Sequence, residues 1–412
     1  MERDKIPFSI KVKDHAFMEV KEKIRVLRII NRFNIGGPTY NAVFLSRYLS
    51  DDFETLLVGG LPEVGESDSL HIAAEYNVEP LLIQEMKREP SLSSDRQAYK
   101  RIQKIIQEFQ PHIVHTHAAK AGALGRRAAK KMKVPVIVHT FHGHVFHSYF
   151  GKLKTTIFKQ IERSLAKSSS GIVAISDIQK QELSDIHRIC PPEKISVINL
   201  GFDLEKFHEK REEKRKVTRE AFSIADDEVA VAIIGRLAPV KNHHMFLDVV
   251  ENISKRTSKK VRFLIVGDGT ERSAIETRIS SMQLSDTIRV EMTSWIKDIS
   301  SFNPGMDIIC LTSLNEGTPV SLIEAQASGV AVVSTDVGGV RDILLEGDTG
   351  FVTPLNDVEM FSDKVLELVE DEKKREKMSQ NGWNFVEAKF SYKTLVANME
   401  NYYRELLKTA KL

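Results

Sequence analysis

MDIICLTSLNEGTPVSLIEAQASGVAVVST, residues 306–335, carries the reading of the fold. It opens with an apolar run of strand length, MDIICLT (306–312). A polar loop with Glu316, Gly317, Thr318 and Pro319 follows, then a helical stretch holding Glu324, then a second apolar run, VAVVST (330–335). Runs that are apolar throughout, with helical stretches between them, read as buried parallel strands, since helices on both faces leave no solvent side.

The same alternation extends in both directions. In the first half the runs are IRVLRII (24–30), TLLVG (55–59), HIVH (112–115), VPVIVHT (134–140), GIVAIS (171–176) and ISVIN (195–199). In the second half VAVAIIG (229–235), VRFLIVG (261–267) and TIRVE (287–291) precede the two already quoted. Two such series predict two Rossmann-like, doubly wound α/β domains. The polar, charge-dense NLGFDLEKFHEKREEKRKVTRE (199–220) reads as the linker between them. SYKTLVANMENYYRELLKTAK (391–411) has helical periodicity and no strand after it. The expected organisation is an extension at 1–23, a first domain at 24–200, a second at 201–388, and a helix at 389–412 that packs back on the first.

Of 412 residues, 42% are hydrophobic and 28% charged, as in a soluble globular protein with a sizeable core. Cys190 and Cys310 are far apart and form no Cys-x-x-Cys, so a reducing compartment such as the cytoplasm fits. The start, MERDKIPFSIKVKD, lacks the apolar region of a secretory signal, and no run is long enough to span a bilayer. Charge is uneven: residues 1–200 carry +8 and 201–412 carry −6. Residues 120–167 hold eleven Lys and Arg against one acid, Glu162. KLKTTIFKQIERSLAK (152–167) spaces Leu153, Ile157, Ile161 and Leu165 by four among cations, and GRRAAKKMK (125–133) adds five more. This half can lean on the anionic inner face of a membrane, or present an ordinary solvated basic face.

Three loops hold candidate chemistry. In NRFNIGGPTYNAVFLSRYL (31–49) a strand runs into Gly36-Gly37 and a helix, where backbone N–H groups can approach an anion; a tight turn needs the same glycines. In IIGRLAPVKNHHMF (233–246), Arg236 and Lys241 follow a strand end, where ligands of open α/β sheets gather; surface charge is the plainer reading. In the opening stretch, Glu316 in the loop and Glu324 in the helix can face one ligand at different depths, with N–H groups at 318–322 as an anion site. A helix-start charge and a solvated glutamate would look alike.

Glu316-x7-Glu324, within EGTPVSLIEAQASGVAVVSTDVGGVRDIL, closely resembles the C-terminal signature of the retaining GT-B glycosyltransferases of the family-4 type. The first-loop glycines, a strand ending in His (HIVHTH), NLGFDLEKF (199–207) and GRLAPVK (235–241) resemble the family's other motifs, in the right order. The resemblance runs from about residue 24 to about 405. It implies a cleft between two domains and transfer of a hexose or N-acetylhexosamine from a nucleoside-diphosphate sugar, UDP more than GDP. It places Glu316 on the sugar, Glu324 on the ribose, and Arg236 and Lys241 on the diphosphate. Backbone around Gly317, Thr318, Pro319, Val320 and Ser321 would orient the sugar. His117 matches the strand-end histidine near the reacting carbon, and His142 in TFHGHVF is a second candidate. Gly36 and Gly37 complete the donor side. Retention is implied by the resemblance alone.

The chain has no Asp-x-Asp, so cations in place of a metal are expected and no cofactor is called for. The expected partners are the nucleotide-sugar and a saccharide or lipid-linked acceptor, with no nucleic acid, for which no motif is present. Two enzyme readings compete. A dinucleotide dehydrogenase has only GDGTER (267–272), which lacks its third glycine. A UDP-sugar epimerase or hydrolase would share the architecture. A non-catalytic anion-binding protein is the third alternative.

Overall fold

The computed structural model describes residues 22–34, 37–62, 69–87, 91–142 and 152–411. The first sheet comprises β1 (Ile24–Arg32), β2 (Phe53–Gly60), β3 (Leu81–Leu82), β4 (Ile113–His117), β5 (Val136–Thr140), β6 (Gly171–Ala174) and β7 (Ile195–Val197). Its order is β3-β2-β1-β4-β5-β6-β7, all parallel. The second comprises β8 (Glu228–Ile234), β9 (Lys260–Val266), β10 (Ile288–Thr293), β11 (Ile308–Leu311), β12 (Ala331–Thr335) and β13 (Gly350–Thr353), ordered β10-β9-β8-β11-β12-β13. All eleven runs named from the sequence are strands. β3 and β13 are short edge strands with too little apolar sequence to be read in advance.

In each sheet the order reverses beside the first strand, between β1 and β4 and between β8 and β11. A crevice opens there at the carboxyl ends, because the connecting helices leave to opposite faces. β8 is buried along its whole length, as a central strand covered on both faces must be. Helices bury one layer on either side of each sheet: Phe246, Val250 and Phe361 on one face of the second, Leu322, Ile323 and Phe390 on the other.

The chain crosses between the sheets twice, side by side. Phe202 N–H donates to the Phe390 carbonyl at 2.8 Å, and Tyr392 N–H donates to the Phe202 carbonyl at 2.9 Å. Ser391 caps the helix Tyr392–Thr409, its hydroxyl accepting from Lys393 N–H. That helix returns to the first sheet. Leu395, Met399, Tyr403 and Leu407, spaced by four, bury against Val26, Leu45, Ile113 and Val138. Full burial of each such side chain is worth about 1.5–3 kcal/mol.

The basic helix Lys152–Lys167 is an integral part of the first domain. Leu165 and Ala166 are buried, and Glu162 forms an internal ion pair with Arg126 at 2.6 Å. Arg126 is therefore structural, which removes one of the five cations of 125–133 from the surface. Arg127, Lys130, Lys131 and Lys133 are exposed, as is Ile157 at 52%. Among the described residues no helix is long and apolar enough to cross a membrane.

Candidate functional site

The residues singled out from the sequence converge on the carboxyl ends flanking the two reversal points. Gly37 opens the helix after β1; Gly36 lies outside the described residues. His117 ends β4, and His142 follows β5. Arg236 and Lys241 follow β8, and Glu316 follows β11.

Glu316 and Lys241 meet directly. The Lys241 ammonium donates to Glu316 Oε1 at 2.5 Å, and the Ser313 hydroxyl donates to the same oxygen at 2.6 Å. The two loops are also joined by backbone: Leu314 N–H donates to the Val240 carbonyl at 2.8 Å, and the Thr312 hydroxyl reaches the carbonyls of Lys241 and Asn242. Arg236 is exposed, with no partner for its guanidinium among the described residues.

The Glu316 loop rests on a second loop, DVGGV (336–340), after β12. Gly338 has φ +51°, and a Cβ there would lie 1.8 Å from the Glu316 carbonyl oxygen. Gly339 N–H donates to the Gly317 carbonyl at 3.0 Å. Only glycine permits this approach, which fixes the backbone that carries Glu316. Pro319 is buried immediately before the helix Val320–Ala327, whose first N–H groups have no side-chain cap. The Leu322 N–H donates to the Pro319 carbonyl at 3.1 Å, and those of Val320 and Ser321 remain available to an anion.

Two adjoining cavities lie between the domains. One, of about 150 Å³, is lined by Gly37, Pro38 and His142 from one side and by Gly317, Thr318, Val320 and Gly339 from the other. Ser176 and Gln179 also line it. Ser321 is half-buried in the first turn of the helix. The other cavity, about 200 Å³, is lined by Tyr40, Asp203, Lys206, Val320 and Glu324. Burial pushes the Glu324 carboxyl up to about 7, against the opposing pull of Lys206. The eight-residue spacing thus puts Glu324 on one chamber and Glu316 directly beside Gly317 and Thr318, which line the other. Lys206 belongs to the NLGFDLEKF stretch, whose linker reading concealed a cation facing Glu324.

The histidines form a buried group behind the first chamber. His117 is fully buried and does not itself line the cleft; its Nδ1 lies 2.7 Å from His142 Nε2. Burial, with Arg28 and the neighbouring histidines adding to it, holds His117 well below the ordinary histidine range. His142, which does line the cleft, is held at about 3 by burial. Both are therefore neutral at physiological pH.

The comparisons agree with this architecture. The family described as Glycosyltransferase Family 4 matches residues 35–206, and that described as Glycosyl transferases group 1 matches 214–385. A UDP-Gal:alpha-D-GlcNAc-diphosphoundecaprenol alpha-1,3-galactosyltransferase of Escherichia coli is 29% identical over 83% of this chain and 88% of its own. The capsular polysaccharide biosynthesis glycosyltransferase CapM of Staphylococcus aureus is 26% identical over 82% and 88%. The Anabaena HepE protein, crystallised in complex with UDP, superposes with a TM-score of 0.77 at 18% identity, over 92% of this chain and all of its own. With one family model on each sheet, and between them most of the chain, the protein belongs to the family-4, group 1 glycosyltransferases and is a glycosyltransferase of the two-domain GT-B fold.

Proposed function

We propose that the enzyme moves a hexose or N-acetylhexosamine from a UDP-sugar to a hydroxyl of a lipid-linked saccharide, with retention of anomeric configuration and without a metal. The observation that carries this reading is the Lys241–Glu316 pair, next in sequence to Gly317 and Thr318, which line a chamber that His142 lines from the other domain. The activities of the Escherichia coli and Staphylococcus aureus relatives, in lipid-linked saccharide and capsular polysaccharide assembly, support the acceptor class.

Charge dictates the division of labour. As the bond from the anomeric carbon to the phosphate oxygen breaks, negative charge grows on the departing diphosphate and positive charge on the sugar. Arg236, Lys241 and the N–H groups opening the helix Val320–Ala327 stabilise the first. Glu316, beside the sugar, holds its hydroxyls and opposes the second. Glu324 takes the ribose in the neighbouring chamber. The acceptor hydroxyl enters on the face the diphosphate leaves, and its proton passes to the departing phosphate oxygen. The neutral, depressed histidines do not take that proton; His142 lines the sugar's side, with His117 behind it.

A panel of sugar nucleotides incubated with undecaprenyl-diphosphate saccharides, followed by NMR of the product's anomeric proton, tests the whole reading. An α-linked product from an α-linked UDP-sugar is expected. An inverted product would overturn retention. Isomerised or hydrolysed UDP-sugar, with no acceptor consumed, would replace the transferase reading with the epimerase or hydrolase.

A further inference from the structure

We infer that the first domain meets an anionic bilayer at the open rim of its sheet, where Leu61, Leu82 and Leu92 enter the boundary between headgroups and hydrocarbon. The inference rests on the proposed function only for its use, which is to bring the cleft to a saccharide carried on a lipid.

Among the described residues of the first domain, five large hydrophobic side chains are exposed, and three of them stand at one edge. Leu61 (39% exposed) follows β2, Leu82 (36%) ends β3, and Leu92 (95%) opens the helix Leu92–Phe109. All three lie at the carboxyl ends of the strands, the edge that carries the cleft. They are off the side that the second domain covers, since the first-domain residues lining the two chambers follow β1, β5, β6 and β7. Loop contacts gather the three. Leu82 pairs in register with Gly59, and Ile83 N–H donates to the Gly59 carbonyl at 2.8 Å. A Cβ on Gly60 would lie 2.2 Å from the Met86 carbonyl oxygen, so the chain after β3 passes against the residue before Leu61. Lys120, in the first turn of the helix after His117, donates to the Lys87 carbonyl at 2.8 Å and pairs with Asp95 at 2.6 Å. That lysine ties the loop and the first turn of the Leu92 helix to the strand end that holds His117.

The charge of this rim complements an anionic surface. Lys87, Arg96 and Lys100 are exposed, and no carboxylate pairs with them among the described residues. Arg96 and Lys100 stand four and eight residues beyond Leu92, on the same face of the helix. The acids nearby are engaged or withdrawn: Asp95 is held by Lys120, and Glu85 is half-buried. Leu92 has no part in holding its helix to the sheet, which Ala98, Ile102, Ile105 and Ile106 do instead. A leucine at a helix tip with cations behind it suits a membrane interface, the apolar end inserted and the charges at headgroup level. The basic helices Ala119–Lys131 and Lys152–Lys167 add attraction but, among the described residues, only one exposed large hydrophobic side chain, Ile157. Seated on its leucine rim, the domain brings the strand ends of the cleft to the bilayer surface, where an acceptor moving in the membrane plane presents its saccharide.

Vesicle sedimentation and fluorescence test this without reference to turnover. The wild type should bind vesicles rich in phosphatidylglycerol, and Leu92→Ser should bind them about 10-fold to 100-fold more weakly, the worth of one leucine side chain taken out of water. Leu92 is so exposed that its replacement leaves the core intact. Leu92→Trp should bind at least as tightly as the wild type, with added fluorescence that lipids brominated in their acyl chains quench. With a lipid-linked saccharide in the vesicles, Leu92→Ser should raise KM and leave kcat unchanged, and KM for a short water-soluble acceptor should not move. Wild-type protein that stays in the supernatant would overturn the inference. So would equal binding by Leu92→Ser, or quenching in Leu92→Trp no greater than in the wild type. A dimer in light scattering that Leu92→Ser dissolves would instead give the rim to a second copy of the chain. Insertion at Leu92 in a protein that consumes no lipid-linked saccharide would refute the proposed function and leave the surface standing.

Discussion

Lys241 and Glu316 are bonded to each other at 2.5 Å across 75 residues of sequence, which makes the two signature loops of the second domain one electrostatic unit. The Lys241 and Glu316 side chains are 24% and 11% exposed, so the pair is only partly screened by solvent. On the proposed function, a diphosphate arriving at Lys241 would compete with the carboxylate already there, so that binding would loosen Glu316 and leave the acid free to accept sugar hydroxyls.

Charge removal at either partner should act in opposite directions on binding. Glu316→Gln leaves Lys241 uncompensated, so UDP should bind at least as tightly as to the wild type while transfer falls by about 100-fold or more. Lys241→Ala should weaken UDP binding by about 10-fold to 100-fold, the worth of one charged hydrogen bond. Calorimetric titration of each variant with UDP, beside a turnover assay, checks both.

The Glu324 carboxyl gives binding a pH dependence of determinate sign. Its native pKa, about 7, lies above the ordinary 4.5, so the free protein holds the proton through the acidic range. The ionised form is the better acceptor for ribose hydroxyls. UDP affinity should therefore rise between pH 6 and pH 8, by up to about 10-fold, and the slope should vanish in Glu324→Gln. Titrations at three pH values decide it; an equal slope in the variant would assign the proton to another group.

Chelation separates cationic side chains from a metal. With Arg236 and Lys241 balancing the diphosphate, transfer in excess EDTA should stay within about twofold of the untreated rate. Loss of activity restored by Mg²⁺ or Mn²⁺ would show that the two cations do not suffice.

Acid should destabilise the protein below the ordinary histidine range. His115, His117 and His139 are pushed down chiefly by burial, His142 to about 3 and His243 to about 4. Below about pH 6.5 the unfolded chain binds protons there that the native protein does not. Stability is thus intact above pH 6.5 and falls towards pH 4, with each histidine adding up to about 1.4 kcal/mol per pH unit. Urea unfolding midpoints at pH 7.5, 6 and 5 should fall in that order.

The exposed part of the basic face offers a membrane test. Lys130, Lys131 and Lys133 contribute about 1 kcal/mol each near an anionic surface, so replacing all three by Ala should cut vesicle binding about 100-fold. Sedimentation with vesicles rich in phosphatidylglycerol, at low and high salt, measures this. Equal recovery in the supernatant with neutral and anionic vesicles would point to a soluble acceptor.

How much of this was legible depends on range. Strand runs and the Glu316 and Lys241 motifs are local patterns, and they are where the sequence places them. The division of roles between His117 and His142 is not local, because only the packing of β4 against β5 decides which ring faces the cleft. Arg28, His115 and Tyr403 are 87 to 375 residues apart, so no window of sequence joins them. Gly338 stands within the signature stretch of Glu316 and Glu324, but its purpose, room for the Glu316 carbonyl, is set by the contact of two separate loops. Lys206 was hidden because a charged stretch after a strand looks the same whether it links or binds.

The helix Tyr392–Thr409 has a consequence for synthesis. Its Tyr403 hydroxyl accepts from the fully buried Arg28 at 3.1 Å and lies 2.5 Å from His115 Nδ1, and its Leu395, Met399 and Leu407 fill the first domain's core. Those residues leave the ribosome only after the whole second domain, at some 5–20 residues per second. The domain translated first is therefore the last to be finished, waiting some seconds with an open apolar face and an uncovered arginine. The second domain, whose core closes without that helix, can fold while the first is still incomplete. A chain cut short before Tyr392 would keep every signature loop and lack the tyrosine that bonds the buried Arg28.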